Sequence, residues 1–321
     1  MKQSAHTDGS NHPLPMNRNR KLAHTSVSDA ELTRSVGGRA ASRIRAAWAG
    51  WRHSSWSLQL GSLLLLLVAA VAGLGPLLFP GDPWAMAGPP MLWPGDDPAF
   101  PLGTDIMGRD LATGLVSGAK VSLLVGAVST LMASVVGVLV GALAGFHGGL
   151  VDRVLMRVVE LFQIVPHFVL AVVLVAVFEP SVTTAIVAIA VVSWPATARL
   201  VRSEFLSLRE REFVLAARTL GMGDLRLIAT QLLPNALPPV LVVALLSVAT
   251  AILTEASLAF LGLGDPNVMS WGTLIGAGRE QIVDAWYVCA LPGAAIVVTV
   301  LAINLVGEGL TDRFNPRLSR R

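Results

Sequence analysis

Six apolar stretches constrain this chain more than any other feature. They cover residues 58–79, 121–144, 158–178, 182–198, 237–261 and 287–306. A bilayer core needs about 20 apolar residues per helix, and backbone inside lipid must satisfy its own hydrogen bonds. Runs such as 62–73 have no polar face, so a buried helix of a soluble protein does not explain them. The strands of a lipid-facing barrel would alternate apolar and polar residues over short segments, and these runs do not. The chain therefore reads as an all-α polytopic membrane protein with six transmembrane helices. The stretch 182–198 is the shortest and contains Pro195.

The basic residues orient the spans. Of the 24 Lys and Arg residues, nine precede the first span, two are Arg153 and Arg157, six lie between the fourth and fifth spans, and four end the chain. Only Arg109, Lys120 and Arg279 fall on the opposite side. Cytoplasmic segments carry this excess. Both termini and the stretch between spans four and five are thus expected in the cytoplasm, and the net charge of +3 is no argument for nucleic acid. The chain divides into a cytoplasmic N-terminal region (1–56), a first span with a long outer segment (57–120), a transmembrane core (121–307) that includes a cytoplasmic segment (199–236), and a cytoplasmic tail (308–321).

Residues 1–40 are polar and lack apolar periodicity, the signature of disorder. The stretch 39–56 mixes Arg39, Arg43, Arg45 and Arg52 with Trp48, Trp51 and Trp56. It suits either an interfacial helix or a basic flank that only orients the first span. On the outer side, Thr104 or Asp105 could cap a short helix leading into the second span, and the stretch around Trp271 fits a segment lying along the outer interface. Gly137, Gly141 and Gly145 recur every four residues and so form one stripe where another helix can approach closely.

Catalytic and metal-binding patterns are missing from the sequence. It has no GxxxxGK[ST] loop and no HExxH. Cys289 is its only cysteine, so no disulfide can form within the chain. The histidines are scattered, and His167 is the one inside a span. An ionisable residue at membrane depth is a functional candidate, which selects Glu255 and, more distantly, His167 as pathway or gating residues. For Glu255 a structural hydrogen bond to a neighbouring helix is weighed against the pathway role, and ahead of it.

The stretch from Arg199 to Asn235 is too ordered for a tether. It reads as a helix over 207–220, a glycine stop at Gly221, a second helix, and a stop at Leu233-Pro234. Ala216 and Ala217 are small, Leu215, Leu220 and Leu225 supply apolar knobs, and Arg209, Arg211, Arg218 and Arg226 can meet acidic groups. Such a helix suits a groove on another protein.

Here the residues match a family. Aligned on Gly221, the stretch resembles the EAA loop of ABC-importer permeases: EAA, three residues, Gly, nine residues, Ile, one residue, Leu-Pro. Ala216, Ala217, Leu233 and Pro234 fall in register. Leu215 replaces the motif's Glu and Gln231 its Ile, and Glu212 stands one turn before the missing carboxylate. P-L-G-T-D over 101–105, G-R-D over 108–110, E-A-S-L-A-F-L-G-L-G over 255–264, N-L-V-G over 304–307 and N-P-R over 315–317 are similar to signatures of the second permease of dipeptide, oligopeptide and nickel importers.

The resemblance implies a type I ABC-importer permease fold in a bacterial inner membrane. It implies a non-catalytic subunit that binds no cofactor. A second, similar permease would complete the pathway, two cytoplasmic subunits would use ATP and Mg, and an extracytoplasmic solute-binding protein would deliver substrate. The expected docking residues are Glu212, Leu215, Ala216, Ala217, Arg218, Gly221, Leu233 and Pro234. A di- or oligopeptide is the expected cargo, with nickel, a metallophore or another small solute as the alternative. An ion-coupled carrier would need inverted repeats or several paired intramembrane charges, and neither is seen.

Overall fold

A computed structural model of the chain describes residues 55–314. The N-terminal region, the basic stretch 39–54 and the N-P-R signature lie outside the described residues. The elements are α1 (Trp56–Leu78), α2 (Leu111–His147), α3 (Gly149–Ile164), α4 (His167–Val177), α5 (Val182–Arg209), α6 (Glu212–Thr219), α7 (Asp224–Leu227), α8 (Leu233–Leu258), α9 (Trp271–Gly278) and α10 (Tyr287–Phe314). Five helical runs are long and apolar enough to cross a membrane: α1, α2, α5, the run 224–263 and α10. α3 and α4 meet the same test only as a pair, bent by 83° at the break between them, so the spans number five, or six where that pair is counted as one.

That bend divides the apolar stretch 158–178 between two helices. Pro166 lacks an N–H and its ring forces the preceding residue out of the helical region; Val165 is accordingly extended, at φ −80° and ψ 130°. Pro195, by contrast, is accommodated within α5, which is 28 residues long in all. The long α2 packs along α5 through the glycine stripe. A Cβ on Gly137 would lie 2.6 Å from that of Thr197, one on Gly141 2.4 Å from the Ala198 carbonyl oxygen, and one on Gly145 2.6 Å from the Phe205 Cβ. The stripe is therefore a backbone-to-backbone contact, as its spacing predicts.

Three sequence expectations on the outer side and in the loop change. The cap of α2 is Asp110, which accepts from the Ala112 and Thr113 amides. Thr104 and Asp105 are buried and instead hold a turn: the Thr104 hydroxyl donates to the Pro89 carbonyl at 2.6 Å, and Asp105 accepts from the Met107 and Arg109 amides at 2.8 and 2.9 Å. Second, α9 is packed into the bundle. Trp271 is buried, and a Cβ on Gly272 would lie 2.6 Å from the Ala256 Cα, so α9 is wedged against α8. Third, Pro234 stops nothing. It sits in the first turn of α8, and the wide π turn Ile228–Leu232 before it joins α7 to α8 with helical backbone at both junctions. A wider turn gives the proline ring room beside the carbonyl it would otherwise strike.

Candidate functional site

The candidate site is α6 and the surface around it. It is positioned by the end of α5, which overshoots its apolar block by eleven residues, to Arg209. Two arginines anchor this overhang. Arg202 forms a two-pronged ion pair with Asp152 of α3, its Nη2 2.6 Å from Oδ2. Arg209 donates to the Gly145 carbonyl at the end of α2 at 3.3 Å and pairs with Glu210 at 3.1 Å. A break at Glu210 and the extended Arg211 then starts α6 at Glu212. This replaces the predicted start at Ser207: residues 207–209 belong to α5.

The sequence between the break and Gly221 closes α6 at both ends. Glu212 sits in its first turn, where a carboxylate favours the helix dipole. At the other end the Gly221 amide donates to the Arg218 carbonyl at 2.9 Å and the Met222 amide to the Ala217 carbonyl at 3.1 Å. With φ of +78° at Gly221, this is the Schellman stop that glycine permits.

Packing divides α6 into two faces. Val214 and Ala217, three apart, are buried in one cluster with Phe146 of α2, Phe205 of α5, Leu227 of α7 and Ala236 of α8. The Arg218 guanidinium lies 5.3 Å from the Phe146 ring centroid. Glu212, Leu215, Ala216 and Thr219 form the opposite stripe and are exposed. Leu215 is 48% exposed, Leu220 88% and Leu225 81%, a cost in water that a covering partner would relieve.

The predicted docking residues thus separate. Glu212, Leu215, Ala216, Gly221 and Pro234 lie at the surface, whereas Ala217 is turned inward and Leu233 packs on the inner cluster. Ala217 is small because α6 lies close on its own bundle. Among the four arginines offered to acidic groups, Arg209 and Arg218 are engaged within the chain, leaving Arg211 and Arg226 with no ion pair among the described residues. The Asp152–Arg202 pair was not legible: its members are 50 residues apart and carry no local signal.

The two intramembrane candidates are not brought together. His167 is exposed at the first residue of α4, at the bend. Glu255 is 6% exposed in α8 and accepts from the Ser122 hydroxyl of α2 at 3.1 Å. Ser122 accepts from the Trp271 amide of α9 at 3.3 Å, and the Trp271 indole N–H donates to the Leu115 carbonyl at 2.9 Å. Glu255 also borders a cavity of about 20 Å³, the space of one water. This geometry is that of a hydrogen bond between helices. Among the described residues no group of three or more His, Cys, Asp or Glu side chains could hold a metal.

Residues 137–320 match the family described as binding-protein-dependent transport system inner membrane component. The chain belongs to that family. Full-length relatives agree with it. The di/tripeptide transport system permease protein DppC of Pseudomonas aeruginosa is 39% identical over 86% of this chain and 93% of its own length. The probable D,D-dipeptide transport system permease protein DdpC of Escherichia coli is 35% identical over 90% of this chain and 97% of its own. A chain from an inward-facing MetNI methionine ABC transporter shares the fold at a TM-score of 0.53 and 22% identity, over 63% of this chain and 96% of that one. This binding-protein-dependent permease is therefore a multi-pass inner-membrane component of an ABC importer. ATPase and binding-protein partners follow from that class, and ATP hydrolysis belongs to the partner subunits.

Proposed function

We propose that this permease forms half of the translocation pathway of a di- or oligopeptide importer, and that α6 is the element seated on a cytoplasmic ATPase subunit. The observation that carries the docking assignment is the two-faced α6: an inner face fused to the ends of α2, α5 and α8, and an outer stripe of Glu212, Leu215 and Ala216 left exposed beside Leu220 and Leu225. A rigid-body displacement of α6 would pass directly into the spans it is packed on. The cargo is supported by the names of the relatives, which are di/tripeptide and dipeptide permeases.

In this reading a second, similar permease completes the pathway, two ATPases use ATP and Mg, and both termini are cytoplasmic, as the arginine distribution supports. Leu215 stands where the EAA pattern has Glu. Glu212 lies one turn earlier on the same exposed stripe, placed to offer the ATPase a carboxylate while Leu215 fills an apolar pocket.

Reconstitution with the partner subunits tests the reading. Proteoliposomes should accumulate a labelled dipeptide only with ATP and binding protein. ATP-independent uptake driven by an ion gradient would overturn it.

A further inference from the structure

The outer segments expose tryptophan beside carboxylate. Trp93 is 45% exposed and Trp286 53%. Their rings meet edge to face with centroids 6.4 Å apart, and Trp93 also lies 5.1 Å from the Tyr287 ring. Asp96 flanks Trp93, its carboxylate accepting from the Trp93 amide at 3.3 Å. Glu280, Val283 and Asp284 are exposed in the turn that leads to Trp286.

The backbone beneath Trp93 is fixed. The Leu92 amide donates to the Thr104 hydroxyl at 3.0 Å, and the Leu92 carbonyl accepts from the Thr104 amide at 3.1 Å and the Tyr287 hydroxyl at 2.8 Å. Gly103, at φ +79°, allows this approach, since a Cβ there would lie 2.2 Å from the Leu92 carbonyl oxygen. An aromatic side chain on a pre-ordered backbone loses little entropy when covered.

Charge selects the occupant. On segments 79–110, 178–181 and 264–286 the exposed acids are Asp82, Asp96, Glu179, Glu280 and Asp284, and the exposed base is Arg279. Tryptophan alone would suit lipid headgroups, but carboxylates beside it are repelled by anionic lipid. Aromatic anchors with a charged rim are the composition of a protein interface.

We propose that Trp93 and Trp286, flanked by Asp96 and Asp284, form a docking surface for a basic, apolar-centred face of the extracytoplasmic binding protein. This rests on the importer reading above. The rim carboxylates steer the approach and the tryptophans hold the complex.

The test uses the full importer in nanodiscs of zwitterionic lipid, with the binding protein that stimulates its ATPase. Affinity is measured between 50 and 500 mM salt, on the order of a threefold change in Debye length. Trp93→Ala is expected to weaken binding by about tenfold or more. The double variant Asp96→Asn, Asp284→Asn is expected to weaken it about threefold at low salt and to flatten the salt dependence. Both variants should assemble with their ATPases as the wild type does. Unchanged affinity in both variants overturns the proposal. So does a Trp93→Ala defect confined to membrane insertion, which would make the pair a lipid-interface anchor. If the wild-type importer binds no binding protein, the importer reading itself fails, and that result is visible without any variant.

Discussion

The Arg218 guanidinium stands 5.3 Å from the centre of the Phe146 ring, joining the last turn of α6 to the end of α2. An exposed cation over an aromatic face contributes about 0.5–1 kcal/mol, so this contact adds to the registration of α6 without being its foundation. Arg218→Ala should lower the melting temperature of the solubilised permease slightly, and Phe146→Leu, which leaves space in the buried cluster, more so. A double-mutant cycle should return a coupling energy of about 0.5–1 kcal/mol. A coupling near zero would mean the ring and the guanidinium are independent.

The two alanines of the docking pattern should respond in opposite ways. Ala217 is buried against α2 and α5, so Ala217→Leu overpacks the junction and costs about 1–3 kcal/mol, read as a drop in melting temperature of the isolated permease. Ala216 is exposed, so Ala216→Trp should leave that temperature unchanged and abolish co-purification with the ATPase subunits. Equal effects on stability would contradict the two-faced helix.

Gly221 is a conformational requirement. Its added Cβ would meet nothing within 4 Å, but its φ is +78°. Gly221→Ala should cost roughly 1–2 kcal/mol from the left-handed backbone alone, and Gly221→Asn less, because Asn tolerates that region. Thermal denaturation of the three permeases should rank them Gly, Asn, Ala. If Ala matches Gly, the Schellman stop is not what ends α6.

Glu255 is expected to act through Ser122. Glu255→Gln keeps an acceptor for the Ser122 hydroxyl, 3.1 Å away in the wild type, and should assemble normally. Glu255→Leu takes the acceptor from the buried Ser122 hydroxyl, at about 1–3 kcal/mol, and should reduce the yield of assembled permease. Normal assembly with lost transport in both variants would instead return Glu255 to a pathway role.

Much of the fold is legible because lipid enforces it: apolar length gives the spans, arginine placement their expected direction, and the Gly137–Gly141–Gly145 stripe the α2–α5 contact. Gly221 is legible because few residues tolerate its backbone. What was missed depends on distant partners or on backbone choices with two local solutions. Pro166 breaks its span while Pro195 and Pro234 do not, and the difference lies in the neighbouring backbone rather than in proline. Ala216 and Ala217 are chemically identical in the sequence, and only Phe146 and Phe205, brought from other spans, decide which one turns inward. The start of α6 was misplaced because α5 has no stop signal before Glu210; Arg202 and Arg209, which anchor its overhang, find their partners in α3 and α2.

The proposed seat of the ATPase subunit is the stripe of Glu212, Leu215 and Ala216. Single cysteines at 216 and 217, each in a Cys289→Ser background, test it most directly by short-range cross-linking in membranes containing the complete importer. Ala216→Cys should cross-link to an ATPase subunit and Ala217→Cys should not. Cross-linking from position 217 with none from 216 would contradict the account.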